Sequence, residues 1–341
     1  MKHRTFFWFF LPTALAMLLF ILLPIVSVIT QSLFIDHEQV VIEVENCNFF
    51  GCKTVSMVDN EATEQLRLEQ PLGRFVGLGN YINRSHLAFA EVTKAWNKAE
   101  SMGGFFRDIF NLPLYRALVF TLVFTFTVTP LLIILGFCIA IAVNSLSQKI
   151  KGFVIFFSLL PMIVTPLVGS LILFWMIDSR GIIGSTLQLM FDNPDLSLKA
   201  SATLTWITLI VYGVWHAAPF AFVVFYAGLQ TVPQDTLESA MIDGASRWER
   251  IRYVVIPHLA PLVTFVALIQ LMDNFRVFEP IVGFNASAHA TSLSSMIYSD
   301  LDGESRLLSS AATSSVLTII GVVILLLPVL IRTWRDWDRN Y

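Results

Sequence analysis

The chain has 341 residues, 55% of them hydrophobic and 14% charged, with a net charge of −3. Soluble domains carry about 25% charged residues, so a mean hydropathy of +0.69 assigns the chain to a membrane. No Lys/Arg run reaches the length of a nucleic-acid footprint, which excludes nucleic acid as a partner.

The N-terminus, Met1-Lys2-His3-Arg4, leads into an apolar run that is too long for the apolar core of a secretory signal. The pattern predicts an uncleaved spanning helix. A span needs roughly 20 apolar residues, and six segments qualify: 6–32, 114–143, 153–177, 204–229, 254–272 and 311–331. Lys and Arg set their orientation. One set of ends holds Lys2 and Arg4, Lys149 and Lys151, Arg247, Arg250 and Arg252, and Arg332, Arg335 and Arg339. That set is predicted to be cytoplasmic, as are both termini.

The expected fold is therefore all-α, a membrane protein of six transmembrane helices. Its expected parts are a first helix (1–34), an outer loop region (35–112), a five-helix core (113–332) with a cytoplasmic loop at 231–257, and a tail (333–341).

Residues 35–112 are polar, with helical composition only around 86–98. Cys47 and Cys52 lie close together there, and in an oxidising compartment that spacing suits a short disulfide. A metal site needs more ligands than this stretch offers, and no metal or cofactor is expected. Residues 182–191 form an amphipathic piece suited to the membrane interface. Trp8, Trp175, Trp206, Trp334 and Trp337 fall near span ends, where aromatic belts meet membrane lipid.

The cytoplasmic loop is the most polar stretch of the apolar second half. Pro233 suits a first helical position, and Asp235 and Glu238 follow where the helix dipole favours acids. Ala240 is small enough for close approach. Gly244, after Asp243, suits a left-handed stop. Ser246 and Glu249 have capping-box spacing for a second helix running toward Pro257. The expected product is a helix-turn-helix elbow fused to two spans. A partner-docking surface and an ordinary connector both fit it.

Polar groups inside spans are costly and mark candidate sites. Gln270, Asp273, Asn274 and Val277 share a face at helical spacing. Gln and Asn side chains both donate and accept, which suits sugar hydroxyls; bonding between helices suits them equally. Tyr212, Gly213, Trp215, His216 and Pro219 cluster in the fourth span. Trp215 fits either a pyranose face or lipid. Pro161-Met162 and Thr165-Pro166 interrupt the third span, as a cavity or a simple kink would. No acid–base pair or nucleophilic triad appears, so enzymatic chemistry is not expected. An ion-coupled secondary transporter is the alternative, yet the spans hold almost no ionisable group beyond His216.

Glu238-Ser239-Ala240, three residues, Gly244, nine residues, then Val254-Val255-Ile256-Pro257 resembles the EAA signature of ABC-importer permeases. Ser239 stands for the signature's middle Ala. Residues 75–81, 227–233 and 275–278 resemble the sugar-uptake branch, most nearly its larger maltose-type permeases. Residues 283–290 differ from the Thr-Gly-Gly-Gly-Pro run of many members. The resemblance implies a type I importer architecture in a bacterial inner membrane. It implies a coupling surface of Glu238, Ala240, Gly244, Arg247 and Pro257 seated on an ATP-binding subunit dimer. It further implies a second homologous permease, usually a different chain, and a periplasmic or lipid-anchored solute-binding protein. The substrate would be a sugar or glycoside, and the resemblance carries Met162, Gly213, His216 and Ala217 to its cavity.

Overall fold

The computed structural model describes residues 3–35, 40–48, 51–69, 73–99, 101–302 and 307–338. The first span is a single helical run of α1 (His3–Met17), a π turn (Leu18–Leu22) and α2 (Leu23–Ser32). The π turn ends two residues before Pro24, and Leu23 N–H reaches back to Leu18 O. Pro lacks an N–H and its ring clashes with the carbonyl four residues back; a widened turn relieves both problems.

A connecting region follows, and it carries more structure than its composition suggests. Strand β1 (Phe34–Ile35) pairs antiparallel with β4 (Arg74–Phe75). Strands β2 (Val41–Asn48) and β3 (Gly51–Val58) form an antiparallel hairpin in which Cys47 stands opposite Cys52. The side chains of those two cysteines, and so the disulfide expectation, lie outside the described residues. Helices α3 (Asn60–Glu69), α4 (Gly79–Ile82), α5 (Phe89–Lys98) and α6 (Met102–Phe110) complete the region. Ser101 caps α6 by accepting from Gly104 N–H.

Next come α7 (Pro113–Asn144), α8 (Gln148–Ile163), α9 (Pro166–Met176), α10 (Ile182–Met190), α11 (Ala202–Leu229) and α12 (Gln234–Ile242). Helix α13 (Arg247–Arg250) runs through a second π turn (Ile251–Val255) into α14 (Ile256–Phe275). This π turn also ends two residues before a proline, Pro257, and Ile256 N–H bonds Ile251 O. The remaining helices are α15 (Glu279–Gly283), α16 (Leu293–Asp302) and α17 (Leu308–Asp338).

Among the described residues, five helical runs are long and apolar enough to cross a membrane: Phe7–Ser32, Pro113–Asn144, Ala202–Leu229, Arg247–Phe275 and Leu308–Arg335. The pair α8 and α9 makes a sixth if taken as one span, although its halves meet at 95°. The third expected span is thus broken rather than merely kinked.

Two compact units are present. The first takes in Met1–Arg116 and Met296–Ile320, the second Ala117–Ser295 and Gly321–Tyr341. In the first, His86 is fully buried, with Nδ1 2.8 Å from Asn83 Oδ1 and Nε2 3.1 Å from Ser314 Oγ. The first span buries none of its apolar window within the chain.

The second unit holds the core, where Phe120, Phe124, Leu209, Tyr212, Phe222 and Phe225 are buried together. Its loop end is pinned by polar contacts. Trp206 Nε1 donates to His289 O at 2.9 Å, and Ser292 Oγ donates to Val277 O. Gly283, Phe284, Ala286 and Ala290 are therefore buried within this chain. Lys199 Nζ lies 3.0 Å from Asp178 Oδ2 and 3.3 Å from the Phe174 ring centroid. That ammonium, through its hydrogen bond, holds the Asp178 carboxyl below the usual carboxylate range.

Candidate functional site

Two places deserve chemical scrutiny, and the elbow between α11 and α14 is the first. Helix α12 begins at Gln234, so Pro233 occupies the position before the helix rather than its first turn. Asp235 lies in that first turn. The helix ends on Gly244, whose φ of +82° is left-handed. Ala245 N–H bonds Ala240 O at 2.9 Å and Gly244 N–H bonds Met241 O at 3.1 Å. This double bond pattern is a Schellman stop, which favours glycine at the left-handed position. The capping box is formed: Glu249 N–H bonds Ser246 Oγ at 3.3 Å, and Ser246 N–H bonds Glu249 Oε2 at 2.7 Å. Glu238, Gly244, Arg247 and Pro257 are exposed, and Ala240 is half-buried. Beside them Ile242, Trp248 and Tyr253 also stand exposed. The elbow thus projects apolar and charged groups away from the chain's own core.

The second place is the break between α8 and α9. A helix that stops inside an apolar layer leaves carbonyls without partners. His216 of α11 reaches one of them, with Nε2 3.1 Å from Val164 O, and Tyr212 Oη donates at 2.7 Å to Pro166 O, in the first turn of α9. Met162, just before the break, is exposed, and Ala217 is half-buried beside His216. Gly213 packs against α7, where an added Cβ would stand 2.8 Å from a ring carbon of Phe124. It serves close approach of two helices. Trp215 is exposed on the outside of α11.

The expected polar face of α14 divides in two. Gln270 and Asn274 are buried, and Asn274 Nδ2 donates to Thr129 Oγ1 at 3.0 Å. Asp273 is exposed and pairs with Arg276 at 2.9 Å. Helix α14 ends at Phe275, so Val277 lies beyond it and does not share the helical face. The structure therefore gathers Met162, His216 and Ala217 around one break, sets Asn274 against α7, and leaves Asp273 at a helix end. The carbonyls of Val164 and Pro166 and the hydroxyl of Thr129 were absent from the sequence-based expectations. The Thr165-Pro166 pair was the available signal, because a break there obliges some neighbour to supply donors. Among the described residues, no group of three or more His, Cys, Asp or Glu could hold a metal ion.

The family described as binding-protein-dependent transport system inner membrane component matches residues 109–336. The chain belongs to this family. It is a multi-pass membrane protein of a transporter permease family, not of a catalytic enzyme family. This inner membrane component is 30% identical over 191 residues to the galactooligosaccharides transport system permease protein GanP of Bacillus subtilis, covering 54% of this chain and 46% of the relative. It is 29% identical over 160 residues to the trehalose/maltose transport system permease protein MalF of Thermococcus litoralis, covering 47% of this chain and 54% of the relative. The matched stretch thus spans about half the length of each. A chain of a bacterial ABC transporter involved in the import of the acidic polysaccharide alginate superposes with a TM-score of 0.59 at 19% identity, over 75% of this chain and 91% of that one. That likeness concerns the fold of the inner membrane component alone.

Proposed function

We propose that the chain is a permease subunit of a binding-protein-dependent ABC importer for a sugar or glycoside. The observation that carries this reading is the elbow: a Schellman stop ends one short helix and a capping box starts the next at the foot of a membrane-length helix. Membership of the transport family and the sugar-related names of the relatives support it. In this reading the elbow faces the cytoplasm with both termini, and residues 35–112 face outward. Glu238, Ala240, Gly244, Arg247 and Pro257 seat on an ATP-binding subunit dimer, which performs the hydrolysis; this chain catalyses nothing. A second homologous permease of different sequence completes the path, and a periplasmic or lipid-anchored binding protein delivers the solute. The assembly sits in a bacterial inner membrane.

The substrate would pass Met162, His216 and Ala217 at the break, with Gly213, Gln270, Asp273 and Asn274 as the further candidate positions. Arg276 is already paired with Asp273, which favours a neutral glycoside over an anionic one. The test is purification from membranes followed by uptake in vesicles. Co-purification with an ATPase and ATP-dependent uptake of a neutral oligosaccharide are expected. Solute uptake by this chain alone, without an ATPase, would sink the reading.

A further inference from the structure

The connecting region ends in a helical pair that no assigned role explains. Helices α5 and α6 are joined by an edge-to-face contact of Trp96 with Phe105, ring centroids 5.1 Å apart. The inner side of α6 buries Ile109, and Leu112 just beyond it is also buried. Its other side is not polar. Met102, Phe106 and Phe110 recur at helical spacing and are 59%, 46% and 45% exposed. Phe106 and Phe110 stack at 5.9 Å. On α5, Phe89 and Trp96 are seven residues apart and both exposed, while Lys94 and Lys98 make a separate exposed polar edge. A surface helix in water carries one apolar stripe facing its core; α6 carries a second, facing out.

The chain's path says what covers that stripe. Phe110 is three residues before Pro113, where a 32-residue helix of membrane length begins. Three residues reach at most about 10 Å, and the headgroup layer is roughly 5–8 Å thick on each side of the hydrocarbon. Phe110 therefore lies within about 10 Å along the chain of the start of that helix, and Phe106 one helical turn before it. Aromatic rings beside cationic side chains, here Lys94, Lys98 and Arg107, favour the headgroup layer.

We propose that α5 and α6 form an interfacial anchor. The Met102/Phe106/Phe110 stripe and Trp96 lie in the boundary between lipid headgroups and acyl chains, and the polar edge of α5 faces water. This hairpin fixes the height at which the outer connecting region leaves the bilayer.

The test uses the full chain in vesicles of phosphatidylethanolamine and phosphatidylglycerol, with an apolar diazirine dissolved in the lipid and labelled residues mapped by mass spectrometry. Labelling of Phe106 and Phe110 along with Pro113–Asn144, and none at Lys94 or Lys98, supports the anchor. Labelling of the long helix without Phe106 and Phe110 overturns it, since the stripe is then either solvated or covered by protein. Labelling in vesicles that disappears in native membranes also overturns it, because a protein partner then owns the surface. The double variant Phe106→Gln, Phe110→Gln is expected to lose the α6 label and gain amide exchange over 89–110, with the Pro113–Asn144 label unchanged. An unchanged α6 label in that variant counts against the proposal.

Discussion

His216 Nε2 lies 3.1 Å from the carbonyl oxygen of Val164, so the ring N–H donates into the break between α8 and α9. Four residues earlier on the same helix, Tyr212 donates to Pro166. Two donors from one helix face thus bond carbonyls on either side of a 95° break in its neighbour. A histidine inside a span invites a catalytic or ligand role. Here its fixed duty is to satisfy a backbone group that the surrounding apolar layer cannot.

His216→Leu combined with Tyr212→Phe is expected to cost about 1 kcal/mol per lost bond, the scale of hydrogen bonds between membrane helices. Thermal unfolding in detergent reads this. His216→Gln, which keeps a donor, should recover most of the first loss. Equal instability of His216→Gln and His216→Leu would remove the hydrogen bond as the cause.

Gly244 provides a test of the elbow that sterics do not confound. An added Cβ there meets nothing within 4 Å, yet φ is +82°. A β-branched residue pays about 1–2 kcal/mol for that conformation, and Asn much less. Gly244→Val should therefore lower ATP-driven uptake with normal membrane insertion, while Gly244→Asn stays near wild type. Matching behaviour of the two variants would show that the left-handed turn does not matter.

Glu238 is exposed on the elbow. In the proposed assembly Glu238→Lys reverses the charge facing the ATPase, so uptake should fall while the chain still inserts. Co-purification with the ATPase and vesicle uptake are the measurements; wild-type uptake would free Glu238 of a coupling role.

Asn274 and Thr129 are bonded at 3.0 Å in a buried setting. If that bond is the whole role of Asn274, Asn274→Leu and Thr129→Val should be non-additive, with a coupling of about 0.6 kcal/mol in unfolding. If Asn274 also meets substrate, Asn274→Leu will depress uptake well beyond Thr129→Val. The pair of uptake assays separates the two.

His86 gives a pH dependence with a definite sign. Burial lowers its pKa, against smaller raising contributions from Ser310 and Asp300. A lowered imidazole pKa means the packed state prefers neutral His86. Its stabilisation is complete above the ordinary value of about 6.5 and is lost as pH falls through that value. Asp300 acts oppositely, because burial raises its pKa and the packed state prefers its protonated form at lower pH. Amide exchange over residues 79–88, taken relative to the intrinsic rate at each pH, should thus rise from pH 7.5 to 5.5. His86→Gln should flatten that rise; an identical pH response in the variant would exclude His86.

The apolar segments were legible because membrane solvation imposes length and composition on each one. The elbow was legible residue by residue, since Gly244, Ser246 and Glu249 act locally and their spacing alone encodes the stop and the cap. What escaped was non-local. Nothing adjacent to His216 reveals that Val164 needs a donor, and helical spacing could not show that Asn274 turns to Thr129 while Asp273 turns to Arg276. The β2–β3 hairpin escaped for another reason: its alternation of Val, Ile and Glu is short and sits in a polar stretch read as irregular.

Arg247–Phe275 is one continuous helical run of 29 residues, about 43 Å at 1.5 Å per residue. Trp248 stands at one end and Asn274 at the other. An unbroken rod is a lever: a tilt of about 10° imposed at the elbow sweeps the far end through about 7 Å, the height of more than one helical turn. The π turn (Ile251–Val255) lies between the elbow and the rest of the rod, so its stiffness sets how much of a displacement at the elbow would reach Gln270 and Asn274 in the proposed assembly.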